Sequence, residues 1–232
     1  MYTDASNWST YKIFVPTLDD IRGAQAVYGS TTSTSECSTF TQSGSVTYTG
    51  SCSAGSPALP MTVKVTTAGS GNRALATDSS GSSLPSSNTV LMIAKVQPST
   101  LYRFSQGIHT NSNVADGSSR YATVELDDGG IKAAWSDTLG LTETSTLWGT
   151  TPSTSTTYFL ELVVENANSE AAYAYQDDGS ASTPPTFLGK ATFDTGTSSW
   201  SGTKYFGSGA WTDSGSNPLS NYSVKEYDDK RK

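Results

Sequence analysis

The chain is short of charge, of histidine and of long apolar runs. Charged residues are 15% of its 232 positions, and the net charge of -7 comes with no cluster of Lys and Arg. Neutralising phosphates or anionic lipid needs such clusters, so the balance argues against nucleic acid and against anionic membranes as partners. No stretch approaches the ~20 consecutive apolar residues of a membrane helix. Residues 1–20 lack the apolar centre of a signal peptide, so for a secreted protein the targeting segment would lie outside these residues. The single histidine, His109, rules out any site built from several histidines, and Cys37 and Cys52 alone cannot make a Cys/His metal cluster. There is no Gly-x-Ser-x-Gly nucleophile elbow, phosphate-cradling glycine loop or dinucleotide fingerprint.

In place of charge the chain carries about 70 Ser and Thr residues, the balance of a secreted, turn-rich β protein rather than a helical cytosolic one. Cys37 and Cys52 enclose a Ser/Thr-rich segment whose "SVTYTG" suits a strand and turn. They are either a disulfide across a local hairpin, worth about 3 kcal/mol in the chain-entropy account, or two buried thiols. Asn7-Trp8-Ser9 and Asn221-Tyr222-Ser223 are N-glycosylation sequons, which also occur by chance in so Ser-rich a chain.

One stretch reads as a helix with an entrance and an exit. In "PTLDDIRGAQAVYGS", Thr17 caps the first turn with Asp20 three residues on, and Asp19 and Asp20 sit where the helix dipole favours negative charge. Leu18, Ile21, Ala24 and Tyr28 recur at helical spacing and Gly29 closes the helix. The stretch resembles the last helix of the catalytic domain of matrixin-type zinc metalloproteases, matching an Asp-Asp-Ile-x-Gly-x-Gln-x-x-Tyr-Gly pattern at Asp19, Asp20, Ile21, Gly23, Gln25, Tyr28 and Gly29. The resemblance covers about the first 30 residues. It implies an upstream metalloprotease domain in the full-length protein; the family's three-His zinc site cannot be here, so no zinc and no peptidase activity are expected in this chain.

Residues 30–36, "STTSTSE", read as a Ser/Thr linker. About ten short segments follow, among them "TVLMIAKV", "RYATVEL", "IKAAWS", "TYFLELVVE" and "NYSVKEY", separated by turn clusters such as "DDGG" and "DDGSASTPP". Strands at such intervals, without helical period, make an antiparallel sandwich or jelly roll. The order of "TYFLELVVE", "AAYAYQDDG" and "NYSVKEYD" is similar to laminin-G and concanavalin-A-like jelly rolls. The expected fold is therefore all-β, an antiparallel jelly-roll sandwich with one short N-terminal helix. Its parts would be a protease remnant at residues 1–29, the linker at 30–36, the jelly roll at 37–228 and a charged tail at 229–232.

Sugar rings present apolar C–H faces to aromatic rings while amides and carboxylates take their hydroxyls. Trp135, Trp148, Trp200 and Trp211, with Asn111, Asn113 and Asp213, are the candidates for such a surface, and any of the Trp could instead be core. Trp200 and Trp211 lead because turn residues flank them. The "LDDGG" and "QDDG" turns place Asp127, Asp128, Asp177 and Asp178 in pairs that either hold calcium through carboxylate oxygens or simply make tight turns. The most enzyme-like set is Arg103, Gln106 and His109 in "YRFSQGIHT" with Tyr205 in "KYFGSGAW". It resembles the inventory of jelly-roll polysaccharide lyases, in which Gln or Asn with Arg neutralises a uronate carboxylate while His and Tyr move the protons. The departure is that Gln106 and His109 are three apart, which in an unbulged strand puts them on opposite faces.

Three functions follow as expectations. The leading one is a secreted, non-catalytic module that recognises a glycan or glycosylated surface, appended to a matrixin-like protease, with calcium as a candidate structural ion. The others are a uronate-directed polysaccharide lyase using His109 and Tyr205, and a structural appendage of the protease.

Overall fold

The computed structural model describes residues 40–43, 46–48, 61–65, 72–78, 90–110, 120–136, 143–165, 169–177, 179, 185–194, 205–212 and 221–231. The expected helix, the linker, Asn7, Cys37, Cys52, Asn111, Asn113, Asp178, Trp200 and Asp213 lie outside the described residues.

Among the described residues there are fourteen strands. In chain order they are β1 (Phe40–Ser43), β2 (Val46–Tyr48), β3 (Met61–Lys64), β4 (Asn72–Asp78), β5 (Val90–Thr100), β6 (Arg103–His109), β7 (Tyr121–Asp127), β8 (Gly130–Ser136), β9 (Glu143–Trp148), β10 (Thr157–Glu165), β11 (Ser169–Asp177), β12 (Thr186–Phe193), β13 (Tyr205–Thr212) and β14 (Asn221–Arg231). They form two seven-stranded antiparallel sheets, one ordered β1-β4-β13-β6-β7-β8-β9 and the other β12-β11-β10-β5-β14-β3-β2. No helix of the described residues is long and apolar enough to cross a membrane.

Alternation along each strand explains the two layers, because successive side chains point to opposite faces. In the first sheet Phe104, Ile108, Ala122, Val124, Leu126, Ile131 and Ala133 point inward, and Met92, Ala94, Val96, Leu160, Leu162, Val164 and Val224 meet them from the second. Burying each large member contributes roughly 1.5–3 kcal/mol.

Polar and aromatic ties cross between the layers. Gln106 Nε2 donates to the Leu160 carbonyl at 2.6 Å. The Tyr222 hydroxyl on β14 donates to the Leu126 carbonyl at 3.3 Å and accepts the Tyr102 N–H at 3.2 Å. Trp135 of β8 stacks on Phe193 of β12, with ring centroids 4.7 Å apart and planes at 16°.

The sandwich is drawn together on both sides. A side chain at Gly189 of β12 would collide with the Leu147 carbonyl of β9, so the backbones of these two edge strands approach in a way only glycine permits. At the other side β1 and β2, the edges of the two sheets, are joined by residues 44–45.

Candidate functional site

The outer face of the first sheet is built of cross-strand rows. In the first row Tyr205, His109, Tyr121 and Ser136 are register partners across β13, β6, β7 and β8. The second row is Gly207, Gly107, Thr123 and Ala134, and the third is Gly209, Ser105, Glu125 and Lys132. Register partners share a face, so the rows stand side by side, about 7 Å apart. The middle row carries only hydrogens, a methyl and a small hydroxyl. It therefore forms a low floor between an aromatic and imidazole row and a charged one. Thr123 and Ala134 of the middle row, and His109 and Ser105 on either side of it, are fully buried, while Arg103 and Lys132 are partly exposed.

Glycine at position 107 is required by packing. An added Cβ would run into the Ala122 carbonyl and the Thr123 backbone of the neighbouring strand. Thr123 Oγ1 donates to the Ala134 carbonyl at 3.0 Å, which satisfies the one polar group of the floor.

The charged row is a compact network. Lys132 Nζ lies 2.6 Å from Asp127 Oδ2 and 3.6 Å from Glu125 Oε2, and Arg103 Nε lies 4.0 Å from the same Glu125 oxygen. Burial pushes the Glu125 carboxyl above its ordinary value, against the pull of Arg103 and Lys132. In the other row the His109 and Tyr121 rings are tilted at 30° with centroids 6.2 Å apart.

His109 and Tyr205 are brought together by register, whereas Gln106 and Arg103 do not join them. Gln106 faces the interior between Phe104 and Ile108 and reaches the second sheet, as strand parity requires. Arg103 shares the His109 face but stands at the far end of β6, about 20 Å along the strand. Trp135 and Trp148 pack against the core, the latter with its ring 5.9 Å from Tyr158. Trp211 occupies the β13 position opposite Arg73.

The acidic turns serve the hairpins. Asp127 Oδ1 accepts the Gly129 N–H at 2.9 Å in addition to the Lys132 contact, and the Asp128 carbonyl accepts the Thr151 hydroxyl at 2.9 Å. Asp177 Oδ1 accepts the Gly179 N–H at 3.2 Å and Oδ2 pairs with Lys95 at 3.1 Å. Among the described residues no three His, Cys, Asp or Glu side chains converge as a metal site. Asp127 and Asp177 are each engaged by an ammonium and a backbone N–H. Asn221 begins β14 opposite Lys64, half-buried, with its Oδ1 lacking a hydrogen-bond partner.

Sequence reasoning missed Thr123, Glu125 and Lys132. The hairpin could have found the last two: with the turn at Asp128–Gly129, residue numbers that sum to 257 face each other, pairing Glu125 with Lys132.

No protein-family model and no curated protein sequence matches the chain. Solved structures do. A legume lectin-like domain from Entamoeba histolytica is 10% identical, with a TM-score of 0.56 over 84% of this chain and 90% of that one. The exoplasmic/lumenal domain of VIP36, in its Ca2+/Man3GlcNAc-bound form, is 10% identical, with a TM-score of 0.53 over 83% of each chain. A protein of unknown function from Shewanella oneidensis MR-1 is 14% identical, with a TM-score of 0.53 over 80% of this chain and 74% of its own. At these identities the likeness is one of fold, and that fold is the lectin-like jelly roll.

Proposed function

We propose that the chain is a glycan-recognition module of a secreted protein, with its ligand lying along the outer face of the first sheet. The observation that carries this reading is the Arg103–Glu125–Lys132 network, whose two cations are the partly exposed members of that face beside the buried row of Gly207, Gly107, Thr123 and Ala134. The guanidinium and ammonium groups offer donors, and the carboxylates acceptors, for the hydroxyls or carboxylates of a glycan. The VIP36 domain, which holds Man3GlcNAc, supports the reading at the level of fold. Its test is a glycan array on the protein and on Lys132→Ala and Arg103→Ala: binding weakened in both variants supports it, and binding indifferent to both overturns this face as the site.

A second reading, polysaccharide lyase, is favoured by one observation, the pairing of His109 with Tyr205. Against it, the positions one row from His109 are Gly107 and Thr123, so no cation or amide there meets the uronate carboxylate. With alginate and glucuronan as substrates we expect no rise in the ultraviolet absorbance of an unsaturated product. A rise abolished by His109→Ala would replace the binding reading with catalysis.

The link to a matrixin-like protease belongs to this proposal too and rests on Asp19, Asp20, Ile21, Gly23, Gln25, Tyr28 and Gly29. An upstream His-Glu-x-x-His motif in the same gene product would support it, and a different upstream sequence would remove it.

A further inference from the structure

The outer face of the second sheet carries a carboxyl that the packing of the fold does not explain. Strand alternation turns Ile93, Lys95, Phe159, Glu161, Tyr173 and Tyr175 away from the inter-sheet core. Glu161 stands in register between Tyr173 and Ile93. It is only 2% exposed, yet its Oε1 has no hydrogen-bond partner. A buried acceptor left in that state is a standing cost to stability, and such groups are rare enough to ask for a reason.

The surroundings of Glu161 are aromatic. Tyr175 lies on its diagonal, about 7–8 Å away between backbones, and packs on Ile93 and Phe159. On its other side the Tyr175 ring meets Phe187 of β12, with centroids 5.6 Å apart and planes at 59°. Phe187 is 56% exposed, the one exposed large hydrophobic side chain among the described residues. Two ammonium groups lie over the neighbouring rings: Lys95 Nζ 5.2 Å from the centre of Phe159 and Lys190 Nζ 5.1 Å from that of Tyr173. Lys95 is also balanced by Asp177 at 3.1 Å.

These groups do not make a hydrolytic pair. Asp177 is in register with Thr157, four residues from Glu161 along β10, which is about 13 Å along the sheet. Two-carboxylate glycoside hydrolysis works over roughly 5–9.5 Å. What the groups do make is an exposed ring, Phe187, on a half-buried one, Tyr175, near a carboxyl oxygen without a hydrogen-bond partner, with cations already supplied by the chain itself.

We propose that the outer face of the second sheet is a second carbohydrate subsite, in which a pyranose ring of an uncharged glycan lies on Phe187 and Tyr175 and its hydroxyls engage Glu161. The C–H face of the sugar meets the rings, and a hydroxyl supplies the bond that Glu161 Oε1 lacks. Lys190, exposed on its long stem over Tyr173, is the side chain that gives way as the ligand enters. A charged ligand has no call on this face, because Lys95 is paired and an ammonium already lies over each of Phe159 and Tyr173. The subsite rests on the glycan reading above and gives the module two binding faces, one on each side of the sandwich.

The test is affinity electrophoresis of the whole chain in gels containing laminarin, mannan or hydroxyethyl cellulose, with alginate as the anionic comparison. Phe187→Ala should weaken retardation by at least one neutral polymer about tenfold, and Phe187→Tyr should restore it. Glu161→Leu should weaken it as well while raising the melting temperature, a combination that a purely structural role would not give. No retardation by any neutral polymer, or equal retardation of the wild type, Phe187→Ala and Glu161→Leu, would overturn the subsite. Retardation sensitive only to Lys132→Ala or Arg103→Ala would overturn it while leaving the first face standing, and indifference to all four variants would overturn both.

Discussion

Tyr205 and His109 are register partners on β13 and β6, and Tyr121 holds the matching position on the other side of His109. The row therefore joins the consecutive strands β6 and β7 to β13, which is distant in sequence. Next to it the floor is uncharged, and among the described residues the nearest cations on the face, Arg103 and Lys132, belong to the Glu125 network. Among the described residues, distance along the strand is what separates these cations from His109.

Gln106 offers the sharpest check on that separation. Its amide bridges the sheets to the Leu160 carbonyl, while its Oε1 has no partner. Gln106→Met removes the donor and the unpartnered acceptor together at similar volume, so stability in urea should change by no more than about 1 kcal/mol. Glycan binding should stay as it was; a large loss of binding would mean that this side chain reaches the outer face.

Gly107→Ala should be costly. The new methyl would meet the Ala122 carbonyl and the Thr123 backbone, both fixed in the ladder, so roughly 2–4 kcal/mol of stability should go. Gly149→Ala is the control, since a Cβ there meets only Thr146 Cγ2 at 3.8 Å. Calorimetric melting of the two variants compares them; equal melting temperatures would show that β6 and β7 can part locally.

Glu161 should make the protein less stable as pH rises. Burial lifts its carboxyl from 4.5 to about 7, so in the folded state it keeps its proton where the unfolded chain has lost it. Its favourable share is complete below about pH 4.5 and is lost as pH climbs through 7, on the order of 3 kcal/mol in all. Glu125 is displaced in the same direction and adds to the slope. Denaturation from pH 4 to 8 should show this decline and Glu161→Gln should flatten part of it; an unchanged slope would mean that the carboxyl is solvated.

Calcium removal should have little effect. The carboxylates of Asp127 and Asp177 are already satisfied by Lys132, Lys95 and turn N–H groups. Dialysis against a chelator should leave the melting temperature where it was, and a fall of more than a few degrees would show a bound ion that these residues alone do not explain.

Much of the sandwich was legible because apolar alternation marks interior strands. "TVLMIAKV" and "RYATVEL" became β5 and β7. The strands without that mark, β1, β4 and β9, lie at or next to the edges of the first sheet and are rich in Thr, Ser and Asn. The parity that sets Gln106 against His109 is local and could be read from spacing alone. The pairing of Tyr205 with His109 could not, because long-range register is decided by the whole sheet. Which Trp are inside was hidden for the same reason: Trp135 stacks on Phe193, a residue of the other sheet. Glu161 was hidden differently, since "TYFLELVVE" is apolar on both faces and gives no sign that its acid is sealed among rings.

The contact of Gly189 with the Leu147 carbonyl, together with the short β1 and β2 at the other margin, bears on how the protein behaves in a crowd. A bare strand margin is a template for a second copy. Here one margin is pressed against its neighbour and the other is cut to a few residues. A bulky residue at position 189 would force β12 off β9 and uncover two ladders of unpaired peptide groups. Its first symptom should be clumping of otherwise folded molecules rather than an early melt.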